Sequence, residues 1–238
     1  MDVLRPDYTD LTPETILAAI ETAGFETSGR MLALNSYENR VYRCELEAGG
    51  AVVAKFYRPG RWSDEAIGEE HSFALELAEQ EVPVVAPLLI DGISLLTHGG
   101  YRFAVYPLRG GRWPDLETRD DLNWMGRFIA RIHNVGRVAR FEHRSQIEVE
   151  RMGMVPAEFL QREGFIPRHL EAAYSTLVDD LLIGIRAAFS RCGEYQSIRL
   201  HGDCHRSNVL WTDDGPHFVD LDDCCNGPAI QDLWMLLS

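Results

Sequence analysis

Cysteine is scarce and unpatterned. The 238 residues hold five, Cys44, Cys192, Cys204, Cys224 and Cys225, and an odd number with one adjacent pair and no framework spacing argues against a disulfide scaffold. Long apolar runs are missing, since none reaches the ~18 residues that suggest a membrane span. The opening MDVLRPDYTD has neither the basic nor the apolar region of a secretory leader. The expectation is a soluble, reduced, cytoplasmic protein, a monomer without a membrane partner. Positive charge is in deficit as well: 23 Lys+Arg stand against 37 Asp+Glu, a net of -14. So acidic a surface repels phosphate backbones and anionic lipid, which excludes nucleic acid as a first guess at a partner. A polyanionic ligand would then need local cations or a divalent metal around it. Glycine, finally, is missing between Arg30 and Glu47.

What is present is ordinary globular material. Hydrophobic residues make up 45% and charged residues 25% of a 27.0 kDa chain, which excludes wholesale disorder and allows one large domain or two lobes. Thr12-Pro13 supplies an N-cap and an N1 proline for a first helix that ends near Gly24. Strand-like runs cover 40–47 and 51–57 around the hairpin signal Ala48-Gly49-Gly50, and further short strands are predicted at 88–90, 94–98 and 101–106. A helix starting at Ser63 puts Ile67, Phe73, Ala74 and Leu77 on one face and ends at Val82-Pro83. Pro107 to Pro114 reads as a linker. Beyond it the pattern is mainly helical, with helices around 122–132 and 170–189, short strands at 197–201, 208–212 and 216–221, and a last helix opened by Gly227-Pro228. The fold expected is α+β in two lobes: a β-rich N-lobe at 1–107, a linker at 108–114 and a helical C-lobe at 115–238. The chain closes on an apolar stretch, DLWMLLS, without a stop signal, which reads as a helix still running and a C-lobe that is incomplete.

The chemistry concentrates in RLHGDCHRSNVLW and HFVDLDD. Asp203 and Asn208 lie five apart in a loop, and Asp220 follows at the end of the next strand. Three oxygen-bearing side chains on adjacent strand ends suit a hard cation such as magnesium, which keeps waters and binds substrate phosphates besides a few protein oxygens. A carboxylate left off the metal is free to take a proton from an attacking hydroxyl. This is the division of labour of phosphoryl transfer.

HGDxxxxN followed by an apolar strand ending in Asp resembles the aminoglycoside phosphotransferase-like branch of the protein-kinase superfold. With LNSYENRVY, VVAKFYRPGRW and NGPAIQDLWMLL added, the resemblance extends over essentially the whole chain to the bacterial stress response kinase A family. That family is a group of cytoplasmic Ser/Thr protein kinases whose chains continue with further helices. The resemblance implies a two-lobed kinase-like fold and an enzyme using ATP and Mg2+ to phosphorylate a protein substrate with a Ser/Thr acceptor. On the same resemblance Asp203 is the catalytic base, Asn208 a metal ligand and Asp220 the principal, catalytic metal ligand. Lys55 pairs with the α- and β-phosphates, although a lone lysine in an alternating strand otherwise sits on a solvated face. Its carboxylate partner is Glu69 or Glu70; helical phase does not choose between them, and counting back from Val82-Pro83, in line with related kinases, favours Glu70. Ser36 donates to phosphate from a turn that has lost the usual glycines, and Tyr106 to Leu108 form the hinge beside adenine. His201 and Asp232 support the site without doing chemistry. The roles of Asp222, Asp223 and His205 stay open. The alternatives are a kinase of small amino alcohols or aminoglycosides, a nucleotide-binding adaptor without catalysis, and a metal-dependent hydrolase built on His201, His205 and Asp203.

Overall fold

The computed structural model describes residues 7–213 and 215–238. The N-terminal part is a five-stranded antiparallel sheet in the order β1-β2-β3-β5-β4, with β1 at Thr27–Leu34, β2 at Arg40–Leu46, β3 at Ala51–Phe56, β4 at Leu96–His98 and β5 at Tyr101–Pro107. Side chains alternate across a strand, and that alternation divides the sheet's two jobs. Val52, Ala54 and Phe56 of β3 and Tyr101, Phe103 and Val105 of β5 turn to one face, where they bury Ile16, Ala19 and Ile20 of helix α1 (Pro13–Thr22). The intervening positions, Val53 and Lys55, face the other way with Tyr106. Register then sets Leu34 opposite Val41, Val41 opposite Lys55 and Lys55 opposite Ala104.

Helix α2 (Asp64–Glu79) covers part of this second face. Ser63 caps it, accepting from the Ala66 N–H, and Asp64 and Glu65 suit the positive end of its dipole. Its first half packs Ile67 against Tyr57 and Ala104, and its second half sends Phe73, Ala74 and Leu77 into the core of the C-terminal part. One helix therefore belongs to both cores. Polar contacts repeat the coupling: Glu69 accepts from the main-chain N–H groups of Glu142, His143 and Arg144 at 2.5 to 2.9 Å, and Glu76 takes a two-pronged pair from Arg199 at 2.7 and 3.1 Å. Val85 and Phe218 exchange main-chain bonds with Phe218 and Pro83, strapping the segment after α2 to the later hairpin.

The C-terminal part carries α3 (Arg119–Gly136), with a capping box between Thr118 and Asp121, then a single π-helical turn at Glu150–Met154, α4 (Val155–Arg162) and α5 (Glu171–Cys192). Two small sheets follow, β6 (Ile198–Leu200) with β9 (Cys225–Gly227), and β7 (Val209–Thr212) with β8 (Gly215–Phe218), before α6 (Ile230–Leu237). Met125, Ile129 and Ile132 of α3 meet Phe218, Leu221 and Leu236 in the shared core.

The strand predicted at 88–90 is not one. Leu88 bonds once to Val105, and Ile90 closes a tight turn with Ile93. The fifth strand is β1, which has a polar start, a half-exposed edge and a register shift between Thr27 and Met31. Those features, with Gly29 at positive φ inside it, hide a strand from pattern reading.

Two glycines of α3 give a direct test of this packing. A Cβ on Gly136 would stand 2.1 Å from the Arg199 carbonyl oxygen, with backbone on both sides, whereas Gly126 has open space. Gly136→Ala is expected to cost about 1–3 kcal/mol through overpacking. Gly126→Ala should instead gain roughly 0.5–1 kcal/mol from helix propensity. Urea denaturation of both variants reads the two signs.

Candidate active site

A cavity of about 300 Å³ opens between the N-terminal sheet and the segment 207–221. Leu34, Val41 and Val53 line it from the sheet, Leu210, Val219 and Leu221 from the opposite side, and Pro107 to Arg109 border it where the chain crosses from β5 toward α3. Lys55, Glu70, Asn208 and Asp220 also line it, with Asn35 and Ser36 contributed by the β1–β2 turn. The lining is mainly apolar with a few polar groups at one end, the make-up of a small-molecule pocket.

The polar end is organised around one ammonium. Lys55 is the only lysine in the chain, and it is buried, not solvated. Its Nζ donates to Glu70 Oε1 at 3.0 Å and lies 3.1 Å from Asp222 Oδ1 and 3.4 Å from Asp220 Oδ1. Burial opposes the charge, but Glu70 first, then Tyr57, Asp222 and Asp220, hold its pKa well above the ordinary 10.5. Burial raises the Glu70 carboxyl, with Lys55 pulling against it. Burial also works against the Asp222 charge, yet Lys55, Arg61 and the Asn39 amide together bring its pKa below the ordinary value. Glu70 reaches the lysine because it and Lys55 face each other beneath the sheet; Glu69, one residue earlier on α2, turns to the 142–144 backbone instead.

Behind the lysine, Tyr57, His71 and Tyr106 form a closed polar chain. Tyr57 Oη lies 2.6 Å from His71 Nε2 and 3.1 Å from Tyr106 Oη, and His71 Nδ1 meets Ser94 at 2.8 Å. Burial, reinforced by Lys55 and Arg144, depresses the imidazole pKa to about 3, so it stays neutral. Tyr106 thus lends its hydroxyl to the back wall, and with Pro107 and Leu108 it also borders the cavity.

Opposite the lysine, the loop 201–208 is pinned from below. Asp232, fully buried on α6, accepts from the His201 N–H at 3.2 Å and the Gly202 N–H at 2.9 Å, and it meets His133 Nε2 at 2.9 Å. Gly202 sits at positive φ, where a Cβ would stand 2.1 Å from the Asp223 carbonyl oxygen. His201 turns its Nε2 to the Val219 carbonyl at 3.0 Å, tying this loop to the segment that carries Asp220. Asn208 Nδ2 donates to the Asp203 main-chain oxygen at 2.9 Å and to its carboxylate at 3.2 Å. His205 lies 3.3 Å from the same carboxylate, which remains a third exposed. Among the described residues no three His, Cys, Asp or Glu side chains gather as a metal cluster, so the His201–His205 arrangement has no third partner of that kind.

Asp220 follows β8 in the left-handed conformation, φ 59° and ψ 68°, which is uncommon for a residue with a Cβ and is typical of strained functional positions. The turn projects its half-exposed carboxylate into the cavity and drives Asp222 inward beneath the sheet. Two arginines missed in the sequence hold this segment. Arg144, fully buried, donates to the carbonyls of Asp222 and Cys224, lies 3.7 Å from Glu70 and stacks 4.0 Å over the Trp62 ring. Arg61 reaches Asp223 at 2.6 Å and Asp222 at 3.5 Å. Nothing in their spacing marks them, because both act across long sequence separations.

Residues 31–238 match the phosphotransferase enzyme family. Proteins named Stress response kinase A are 44% identical over 97% of this chain and 70% of their own length in Shigella flexneri and Escherichia coli O157:H7. The chain belongs to the phosphotransferase enzyme family. Among solved structures it superposes on an amicoumacin kinase in complex with AMP-PNP, Ca2+ and Ami with a TM-score of 0.71 at 19% identity, covering 93% of this chain and 68% of that one. A microcompartment-associated aminopropanol kinase gives 0.68 at 21% identity, covering 94% and 74%. The two-lobed α+β kinase-like fold expected from the sequence is therefore the fold of this family member. The residues present fit a hard divalent ion: Asn208 and Asp220 both line the cavity and both carry side-chain oxygens, the donor type such an ion takes together with phosphate and water.

Removing the ammonium should expose what it holds. Lys55→Met leaves Glu70 and Asp222 buried with less compensation and is expected to cost about 3–5 kcal/mol at pH 7. Glu70, whose pKa is raised in the fold above the ordinary 4.5, then takes up a proton more readily folded than unfolded. The variant's deficit must shrink as pH falls through the raised value toward 4.5. Denaturation of both proteins between pH 7 and 5 measures it; a constant deficit would show that Glu70 is not the group left uncompensated.

Proposed function

We propose that this phosphotransferase transfers the γ-phosphate of ATP to a Ser/Thr hydroxyl of a protein, working in the cytoplasm. The observation that carries the reading is the chain's one lysine, ion-paired to Glu70 and 3.4 Å from Asp220, in a cavity that Asn208 and Ser36 also line. The protein acceptor is favoured by a relative in Salmonella typhimurium, 44% identical over 97% of this chain, that is named Serine/threonine protein kinase RdoA.

In this reading residues 1–107 hold the nucleotide and 115–238 present the acceptor. The adenine enters the apolar slot and meets the main chain between Tyr106 and Leu108. Lys55 neutralises the α- and β-phosphates, and Ser36 donates to phosphate from the turn above. Asn208 and Asp220 would hold magnesium, which when bound offsets charge on the phosphate oxygens. Asp203 accepts the proton of the attacking hydroxyl as the acceptor oxygen bonds to the γ-phosphorus and the bond to the β-phosphate oxygen breaks, leaving ADP. Asn208 keeps the Asp203 carboxylate oriented, and Asp232 fixes the backbone on which both stand. Catalysis is then positioning and electrostatics, with no covalent enzyme intermediate.

The test is incubation with labelled ATP and magnesium, once with a generic protein substrate and once with a panel of amino alcohols and aminoglycosides. Label is expected on protein Ser/Thr, is lost with a chelator, and falls by about 10²–10⁴ in Asp203→Asn. Label confined to the small molecules overturns the protein acceptor. ATP binding without any transfer would leave an adaptor, and an undiminished Asp203→Asn would remove that residue as the base.

A further inference from the structure

The turn between β1 and β2 has no glycine, so its backbone lacks the freedom with which such turns ordinarily close on phosphate. Its position is set by side chains. Glu38 on the turn pairs with Arg58 and, at 3.2 Å, with Arg61. The next residue, Asn39, is buried, and its side-chain oxygen accepts from the Arg58 N–H at 3.0 Å. Arg61 stands at the crossing of these contacts. A turn at Gly60 (φ 76°) brings it back so that one guanidinium faces Glu38 above and Asp222 and Asp223 below, with about one fifth of the side chain exposed.

We propose that Arg61 is a positioning residue that clamps the β1–β2 turn onto the segment 220–223, so that the turn bearing Ser36 and the carboxylate of Asp220 are held in one arrangement around the phosphates. The inference rests on the MgATP reading above. Two physical effects act together. The ion pairs hold down a turn whose backbone cannot wrap the ligand closely. The guanidinium also offsets two carboxylates next to Asp220, which would otherwise raise the negative potential where phosphate must enter. Both effects concern the phosphates, and neither concerns the apolar slot. That separates a clamp from a residue that merely stabilises the fold.

Calorimetric titration with MgATP and, separately, with adenosine distinguishes the two. Arg61→Ala should weaken MgATP by about tenfold or more, equivalent to about 1.4 kcal/mol, and leave adenosine affinity unchanged. Arg61→Lys, which keeps the charge but loses the planar fork, should restore only part of the loss. Glu38→Gln, which cuts the upper end of the clamp together with the Arg58 pair, should weaken MgATP in the same direction, and the double variant should be less than additive because the Arg61–Glu38 pair is lost in both single variants. Wild-type MgATP affinity in Arg61→Ala and Glu38→Gln overturns the proposal, as does an equal loss of adenosine binding. Failure of the wild-type protein to bind MgATP overturns the nucleotide reading itself, and the clamp with it.

Discussion

The site depends on keeping one ammonium charged in a place where burial would neutralise it. An isolated buried lysine sheds its proton. Lys55 keeps it because carboxylates arrive from two directions, Glu70 from α2 and Asp220 and Asp222 from the segment after β8. Each of those elements must be placed correctly for the charge to survive, and each is placed by contacts made elsewhere. Helix α2 is fixed by sharing its apolar face between two cores and by Glu69 and Glu76 reaching into the C-terminal part. The segment after β8 is fixed by Arg144 and Arg61. The ion cluster is thus both a consequence of the way the two parts dock and a reason they cannot dock differently, since sliding α2 would strand at least one buried charge.

The same cluster resolves an apparent contradiction in the composition. A chain with net charge -14 is an unpromising receptor for a polyphosphate, yet the long-range field matters less than the charges lining the slot. Twenty-two of the 23 cationic residues are arginines, and the only lysine is Lys55. A compact ammonium with three rotatable donors suits phosphate oxygens approached end-on, while planar guanidinium groups suit the bridging tasks of Arg61, Arg144 and Arg199, each of which meets more than one partner. In the proposed reading, the division of cation types follows the division between touching a ligand and bracing the scaffold.

Much of this was legible in the sequence because the decisive residues act locally. Asp203 and Asn208 share one loop, and the strand carrying Lys55 announces itself by alternation. Between Glu69 and Glu70 helical phase does not choose, since adjacent positions differ by about 100°, but the count back from Val82-Pro83 favours Glu70, and the docking of α2 turns that residue to the lysine. Arg61 and Arg144 were hidden for a related reason: an arginine among 22 has no signature until its partners are in place, and Asp223 lies 162 residues from Arg61 and Asp222 lies 78 from Arg144. Strand β1 was missed because an edge strand with a bulge has half its pattern in water, and 88–90 was mistaken for a strand because an apolar run alone does not supply a partner.

The back wall sets how the site answers to pH, and two neighbours on α2 pull in opposite directions. His71 is depressed from 6.5 to about 3, so the folded state resists a proton that the unfolded chain accepts. Its contribution to stability is present above pH 6.5 and is lost as pH falls toward 3, at about 1.4 kcal/mol per unit. Glu70 is raised above 4.5, so its effect has the reverse sign and is confined to the interval between 4.5 and its folded value. Between those limits the histidine's loss is partly offset by the glutamate's gain, and below pH 4.5 only the histidine's loss remains. Nearer neutrality Tyr57 and Tyr106, raised by burial, keep their protons. The wall behind Lys55 therefore stays a neutral hydrogen-bonded chain, and the charge the ligand meets is governed by the lysine and the carboxylates around it.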